Sequence, residues 1–268
     1  MPFVTVTALS HPGLMRDHNE DSMAVGPWTL CGTVTENPQT LGFALGYPLV
    51  VAVADGMGGP PAGEVASSLV VRHLAALGPT LDSEQAVRDA LNVCNQAVYT
   101  AAERDPDLTA MGTTVAGVVV LAREVLVFNV GDSRVLDVTS TRETLHRISV
   151  DDSPPLAPGR RTTSVVTQAL GGASRFSAIT PHVSREPLTT GERYLVCTDG
   201  LTDPVPEDAL DTVLRAHDGG RAAFELWKSA IEAGGPDNIT LALIGIADEA
   251  SSLSGGGADA PTQRGGQA

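Results

Sequence analysis

The sequence predicts an α+β protein: two stacked, largely antiparallel β-sheets, each covered on its outer face by a helix pair. Three observations lead there. Strand-like segments come in runs and helix-like segments in pairs, in the order strand, two helices, a long run of strands, two helices, strand. That segregation disfavours a doubly wound parallel sheet, in which strands and helices alternate. The chain has 268 residues, 42% of them hydrophobic, enough for one substantial core or two small domains. Aromatics make up only 4%, so Val, Ala, Leu and Ile must do the packing, which suits sheets covered by Ala/Leu-rich helices.

Residues 3–9 (FVTVTAL) alternate as a strand does. Gly26 to Pro48 reads as a hairpin or loop excursion before the strand LVVAVA. Residues 61–77 read as a helix with proline near its start, and residues 83–104 as a long amphipathic helix with Asp82 or Ser83 as its N-cap. From Thr113 the pattern turns to β: TTVAGVVVLA, EVLVFNVG and RVLDVT read as sequential antiparallel strands with short turns. Asp151–Arg161, rich in proline, reads as an exposed loop. SVVTQAL and YLVCT read as further strands, Glu207–His217 and Arg221–Ala233 as helices, and NITLALIGIA as a closing strand. Past Asp248 the composition is low-complexity. The expected organisation is one folded domain over 1–248 and a disordered tail over 249–268.

The formal net charge is −15 and no basic stripe appears, so nucleic acid is not an expected partner. Most of that charge reads as a soluble, self-repelling surface. Cys31, Cys94 and Cys197 are widely spaced and make neither a disulfide framework nor a CxxC pair, as in a reducing cytosol. No secretion signal and no run of about 18 apolar residues is evident, so a cytoplasmic protein without membrane contact is expected. A monomer is expected.

Four stretches place an aspartate beside glycine or asparagine: Asp55-Gly56-Met57-Gly58-Gly59, Gly131-Asp132-Ser133-Arg134, Thr198-Asp199-Gly200 and Gly235-Pro236-Asp237-Asn238. Most follow an apolar, β-prone run. A carboxylate at the end of a buried strand is unfavourable unless a cation neutralises it. Several converging carboxylates suggest hard metal ions, which favour oxygen ligands. A fifth stretch, Arg16-Asp17-His18-Asn19-Glu20-Asp21, adds acids and an arginine, whose planar fork suits phosphate. Acid clusters for metal plus an arginine for phosphate read as metal-assisted phosphate hydrolysis.

In this order, and with Ser22, Leu201-Thr202-Asp203 and Ile239-Thr240 extending them, the five motifs resemble those of the bacterial metal-dependent (type 2C, PPM) serine/threonine protein phosphatases over about residues 3–247. One Asp-Gly-Met-Gly-Gly is a weak signal; five ordered motifs are a strong one. The resemblance implies an αββα sandwich with a metal centre at one end of the two sheets. It implies two Mn²⁺ or Mg²⁺ ions bridged by Asp55, with Asp199 and Asp237 completing the first site and the Gly56 carbonyl serving the second. Asp132, with Asp199, matches a third-ion position. Glu20 and Asp21 would hold water around the ions, and Arg16 would grip the substrate phosphate. Paired ions can activate water directly, so no phosphoenzyme is needed. The implied substrates are phosphoserine and phosphothreonine proteins, including a kinase or its targets.

The chain also departs from the family pattern. Met57 stands where some members carry a histidine proposed as general acid, which leaves that acid unassigned between His18 and a water. His18 itself reads better as a solvated loop residue, and Asp203 as a support of its own loop. The segment between Arg134 and Leu170, a mobile flap in relatives, is short here, while Gly26–Pro48 is long. Pro154, Pro155 and Pro158 stiffen the short segment, so an open, shallow site is expected, with Arg160 and Arg161 at its end as a basic pair. Two other readings remain at this stage: a small phosphate-ester hydrolase on the same scaffold, or a catalytically silent binding module.

Overall fold

A computed structural model describes residues 2–59, 61–139, 144–155, 162–163 and 165–248. Two six-stranded sheets stack face to face. The first runs, in spatial order, β11 (His146–Arg147), β10 (Arg134–Asp137), β14 (Arg193–Cys197), β15 (Ile239–Asp248), β1 (Pro2–His11) and β4 (Gln39–Ala44). The second runs β13 (His182–Pro187), β9 (Glu124–Val130), β8 (Val115–Val120), β5 (Leu49–Ala54), β2 (Ser22–Val25) and β3 (Trp28–Cys31). All these pairings are antiparallel. A small third sheet joins β12 (Leu170–Gly171), β7 (Gly112–Thr113) and β6 (Gly56–Met57).

Side chains alternate across each strand, so a strand between two layers must be apolar on both faces. In β5, Val50 and Ala52 pack under α1 (Ala62–Leu77) and α2 (Glu84–Arg104). Val51 and Val53 face the other sheet. In β15, Leu241 and Leu243 lie under α4 (Glu207–Ala216) and α5 (Gly219–Glu232). Ala242, Ile244 and Ile246 fill the space between sheets. The expected α+β sandwich, a helix pair on each face, is the observed one. α1 begins after Pro61, and Ser83 caps α2 by accepting a bond from the Ala86 N–H at 3.3 Å. Among the described residues no helix is long and apolar enough to cross a membrane.

Four expectations are corrected. TTVAGVVVLA and EVLVFNVG do pair as neighbours, but RVLDVT does not continue their sheet: the chain crosses to the other sheet at Gly131-Asp132-Ser133, and β10 pairs with β14. The Gly26–Pro48 excursion is likewise split. β3 closes a hairpin on β2, and β4 then crosses to pair with β1. Among the described residues of SVVTQAL, only Leu170 enters a strand; Thr167 and Gln168 direct their polar groups to Asp152 and Thr180 instead of a ladder. The segment after Val150 is not simply an exposed loop. Asp151 and Asp152 are largely buried anchors, because arginines and backbone N–H groups bind them. Pro158, Arg160, Arg161 and the tail lie outside the described residues, and with them the expected basic pair.

Candidate metal centre and phosphate site

Strand register determines where the motifs meet. His11 pairs with Ile239, Cys197 with Leu241, Ser22 with Ala54, and Val115 with Val130. The loops after β1, β5, β9 and β14, and those before β2 and β15, therefore share one end of the sandwich. There a pocket of ≈ 180 Å³ is lined by Arg16, Glu20, Asp55, Gly56, Asp132, Asp199 and Asp237, together with Met57, Thr114, Val166 and Asn238. Seven of the eight expected site residues thus line one pocket. The eighth, Asp21, is buried beside Asp199, where Thr198 Oγ1 donates to its Oδ2 at 2.9 Å.

Each carboxylate is presented by an element end. Asp55 directly follows β5, and its backbone carbonyl accepts bonds from Thr114 N at 2.9 Å and Thr113 Oγ1 at 2.8 Å. Asp132 occupies the crossover between sheets, a turn steadied by the hydrogen bond between Thr114 Oγ1 and Ser133 Oγ at 2.7 Å. Asp199 opens α3 (Asp199–Thr202). The next residue must be glycine, because a Cβ at Gly200 would collide with the Asn238 carbonyl oxygen. Gly63 is constrained in the same way: a Cβ there would occupy the place of Glu20 Oε2.

Arg16 and Asp237 pair through Nη2 and Oδ2 at 2.7 Å. The loop carrying Arg16 is held from both sides by Asn238, whose Nδ2 donates to Pro12 O at 3.0 Å and His18 O at 2.8 Å. Its Oδ1 accepts from Glu20 N at 2.8 Å. Asn19 adds bonds to Ser10 Oγ and Thr33 O, both at 2.9 Å. Sequence reasoning carried Asn238 only as part of a motif. The signal for its role was its place beside Asp237, and the partners became visible only in the fold.

The electrostatics are those of crowded acids. Burial first, then the charges of Asp21, Asp199 and Asp237, push the Asp55 carboxyl well above the usual range. Burial first, then the charge of Asp237, raises the Asp199 carboxyl. Burial moves Asp21 and Asp132 each up to about 7, with Asp199 adding to both. Asp203, on the adjoining cleft, is raised to about 6, first by burial. Among the described residues no three His, Cys, Asp or Glu side chains already form a metal cage. Arg16 pairs with Asp237, and Thr198 donates to Asp21. Yet the buried Oδ1 atoms of Asp21 and Asp199 have no hydrogen-bond partner. Buried, unpartnered carboxylate oxygens beside further carboxylates are what an oxygen-seeking divalent cation relieves, so the residues fit the ions that the motifs imply.

His18 faces Glu64, with Nδ1 to Oε1 at 3.6 Å, and does not line the acid pocket. Met57 does, so a side chain able to donate a proton is not supplied from that position. A second cleft, ≈ 720 Å³, adjoins the pocket through the shared Asp132 and Asp199. It runs past Arg134, Asp151, Pro154, Thr162 and Glu207.

Comparison with known proteins agrees with this geometry. The family model for Protein phosphatase 2C matches residues 43–229. The serine/threonine protein phosphatase PstP of Mycobacterium tuberculosis is 31% identical over 254 residues, covering 90% of this chain and 45% of that protein. The chain therefore spans less than half of that relative. The serine/threonine phosphatase stp of Listeria monocytogenes is 30% identical over 250 residues, covering 87% of this chain and 92% of its own length. The solved catalytic domain of PstP, in complex with two manganese ions, superposes with a TM-score of 0.72 at 29% identity. It covers 92% of this chain and 100% of that one.

Proposed function

The chain belongs to the protein phosphatase 2C family, and on that premise we propose that it hydrolyses phosphoserine and phosphothreonine in proteins, in the cytoplasm, opposing a protein kinase in signalling. The observation that carries this reading is the convergence of Asp55, Asp132, Asp199 and Asp237 on one pocket that also holds Arg16. Asp55, the Gly56 carbonyl, Asp199 and Asp237 would hold two Mn²⁺ or Mg²⁺ ions, and Asp132 with Asp199 a third. When bound, such ions lower the pKa of a water and offset the charge of the reacting phosphate. The chain's own residues do the rest. Arg16, freed from Asp237, presents two parallel donors to the phosphate oxygens. Glu20 and Asp21 orient water at the margin of the acid cluster. Asn238 keeps the Arg16 loop in place against the pull of a bound dianion. No Ser or Cys nucleophile is required, and Cys197 is buried with its thiol pushed up to about 12 by burial. Residues 1–248 would form the catalytic domain of a monomer.

The test is turnover by metal-stripped protein, with and without added Mn²⁺ or Mg²⁺, on phosphopeptides and on small phosphate esters. Activity absent after chelation, restored by either ion, and higher in kcat/KM on phosphopeptides is the expected result. Full activity without metal overturns the metal role. A preference for small esters overturns the protein substrate.

A further inference from the structure

Asp152 is a node that the function above leaves unused. Its Oδ2 accepts from Gly131 N at 2.9 Å and from Gln168 Nε2 at 2.9 Å, and its Oδ1 meets His182 Nε2 at 2.8 Å. Its own N–H donates to Gly131 O at 2.8 Å, and its carbonyl accepts from Thr167 N at 2.7 Å. Gly131 immediately precedes Asp132, and its φ of +105° makes that turn available to glycine and strained for other residues. On the far side of Asp132, Arg134 binds Asp151 Oδ2 through Nη2 at 2.8 Å and Nε at 3.1 Å. The consecutive acids Asp151 and Asp152 thus grip the two flanks of the turn that presents Asp132. The same Asp152 ties down Thr167 and Gln168, neighbours of Val166, which forms a wall of the acid pocket.

We infer that Asp152 is a positioning residue that sets the Asp132 carboxylate, through the Gly131 N–H, for divalent-cation binding. It also ties Thr167 and Gln168 to the turn that presents that carboxylate. The inference rests on the metal reading above. By holding the backbone N–H of the residue before Asp132, Asp152 controls how that carboxylate is aimed, and loss of support behind a metal ligand typically weakens metal binding about tenfold to a hundredfold. Gln168 and His182 bind the same carboxylate from outside the turn, so they orient Asp152 and do not themselves support Asp132.

The experiment is a thermodynamic cycle on the full chain. Mn²⁺ binding is measured by calorimetry, alongside the Mn²⁺ concentration for half-maximal aryl phosphate turnover. Asp152→Ala should weaken the Asp132-dependent part of Mn²⁺ binding about tenfold and raise the half-maximal Mn²⁺ by a similar factor, with kcat recovering at saturating Mn²⁺. In an Asp132→Asn background, Asp152→Ala should add almost nothing, because coupled residues are not additive. If Asp152→Ala does not fold, Asp152→Asn is carried through the same cycle. Additive effects in the two backgrounds, or a lower active fraction with an unmoved Mn²⁺ midpoint, overturn the inference and leave Asp152 as scaffold. Wild-type protein that binds no Mn²⁺ sinks the metal reading itself, a separate result.

Discussion

Three side chains test the two halves of the proposed chemistry, phosphate binding and metal binding. Arg16 is paired with Asp237 and half exposed, so it can exchange that partner for a phosphate without crossing a buried barrier. Arg16→Ala removes a charge-assisted, two-pronged contact worth roughly 1.5–3 kcal/mol, about tenfold to a hundredfold in kcat/KM. Arg16→Lys should recover only part of it, because an ammonium lacks the planar fork. Steady-state kinetics on a phosphopeptide check both, and an unchanged kcat/KM in Arg16→Ala would place the phosphate elsewhere. Asp199→Asn and Asp237→Asn act on the other half. Each should lower kcat by orders of magnitude while the fold survives, since neutralising the buried Asp199 relieves repulsion and Asp237 is partly exposed. Folded variants with near wild-type rates would refute their assignment as ligands.

At the scale of elements, the starts of α2 and α3 separate stability from activity. Ser83 caps α2 far in sequence from every motif. Ser83→Ala should cost about 1 kcal/mol of stability and leave kcat/KM unchanged. Gly200 lies in the first turn of α3, pressed against the Asn238 carbonyl. Gly200→Ala must push α3 away from the Asn238 carbonyl just before β15; Asp199 opens α3 and Asp237 is the neighbour of Asn238. It should therefore reduce kcat/KM as well as stability. Denaturant melts paired with kinetics distinguish the two. Equal behaviour of the variants would mean that α3 does not set the position of Asp199.

For the molecule as a whole, the acid cluster sets a link between pH, metal and stability. Asp21 and Asp132 rise from the ordinary 3.8 to about 7 in the fold. Between those values the folded state holds more protons than the unfolded one, so stability falls as pH rises through that window. The net charge of −15 adds repulsion in the same direction. Metal-free protein should accordingly melt at a higher temperature at pH 5.5 than at pH 7.5. Saturating Mn²⁺ should reverse the order, because ions prefer the ionised carboxylates and stabilise the state that binds them. Thermal melts at the two pH values, with and without Mn²⁺, test this. A metal-free protein more stable at pH 7.5 would show that the acids are not strained by one another.

The sequence by itself determined the layers and the residues of the candidate site. Apolar runs such as LVVAVA and NITLALIGIA declare strands packed in a core, and paired helical segments exclude an alternating fold. Asp55, Asp132, Asp199, Asp237 and Arg16 could be read because motif residues stay local even when their partners are distant. Three things were decided only by tertiary structure. The chain changes sheets at Gly131–Ser133 and again before β4, since local pattern records that a segment is a strand and not which edge it joins. The segment before Leu170 loses its strand to side-chain bonds from Asp152 and Gln168, groups that look like loop polarity in sequence. Asn238 acquires its hold on the Arg16 loop from carbonyls more than two hundred residues away. Hydrophobic periodicity is a property of neighbours along the chain, whereas the hydrogen bonds that aim a catalytic side chain are made between neighbours in space.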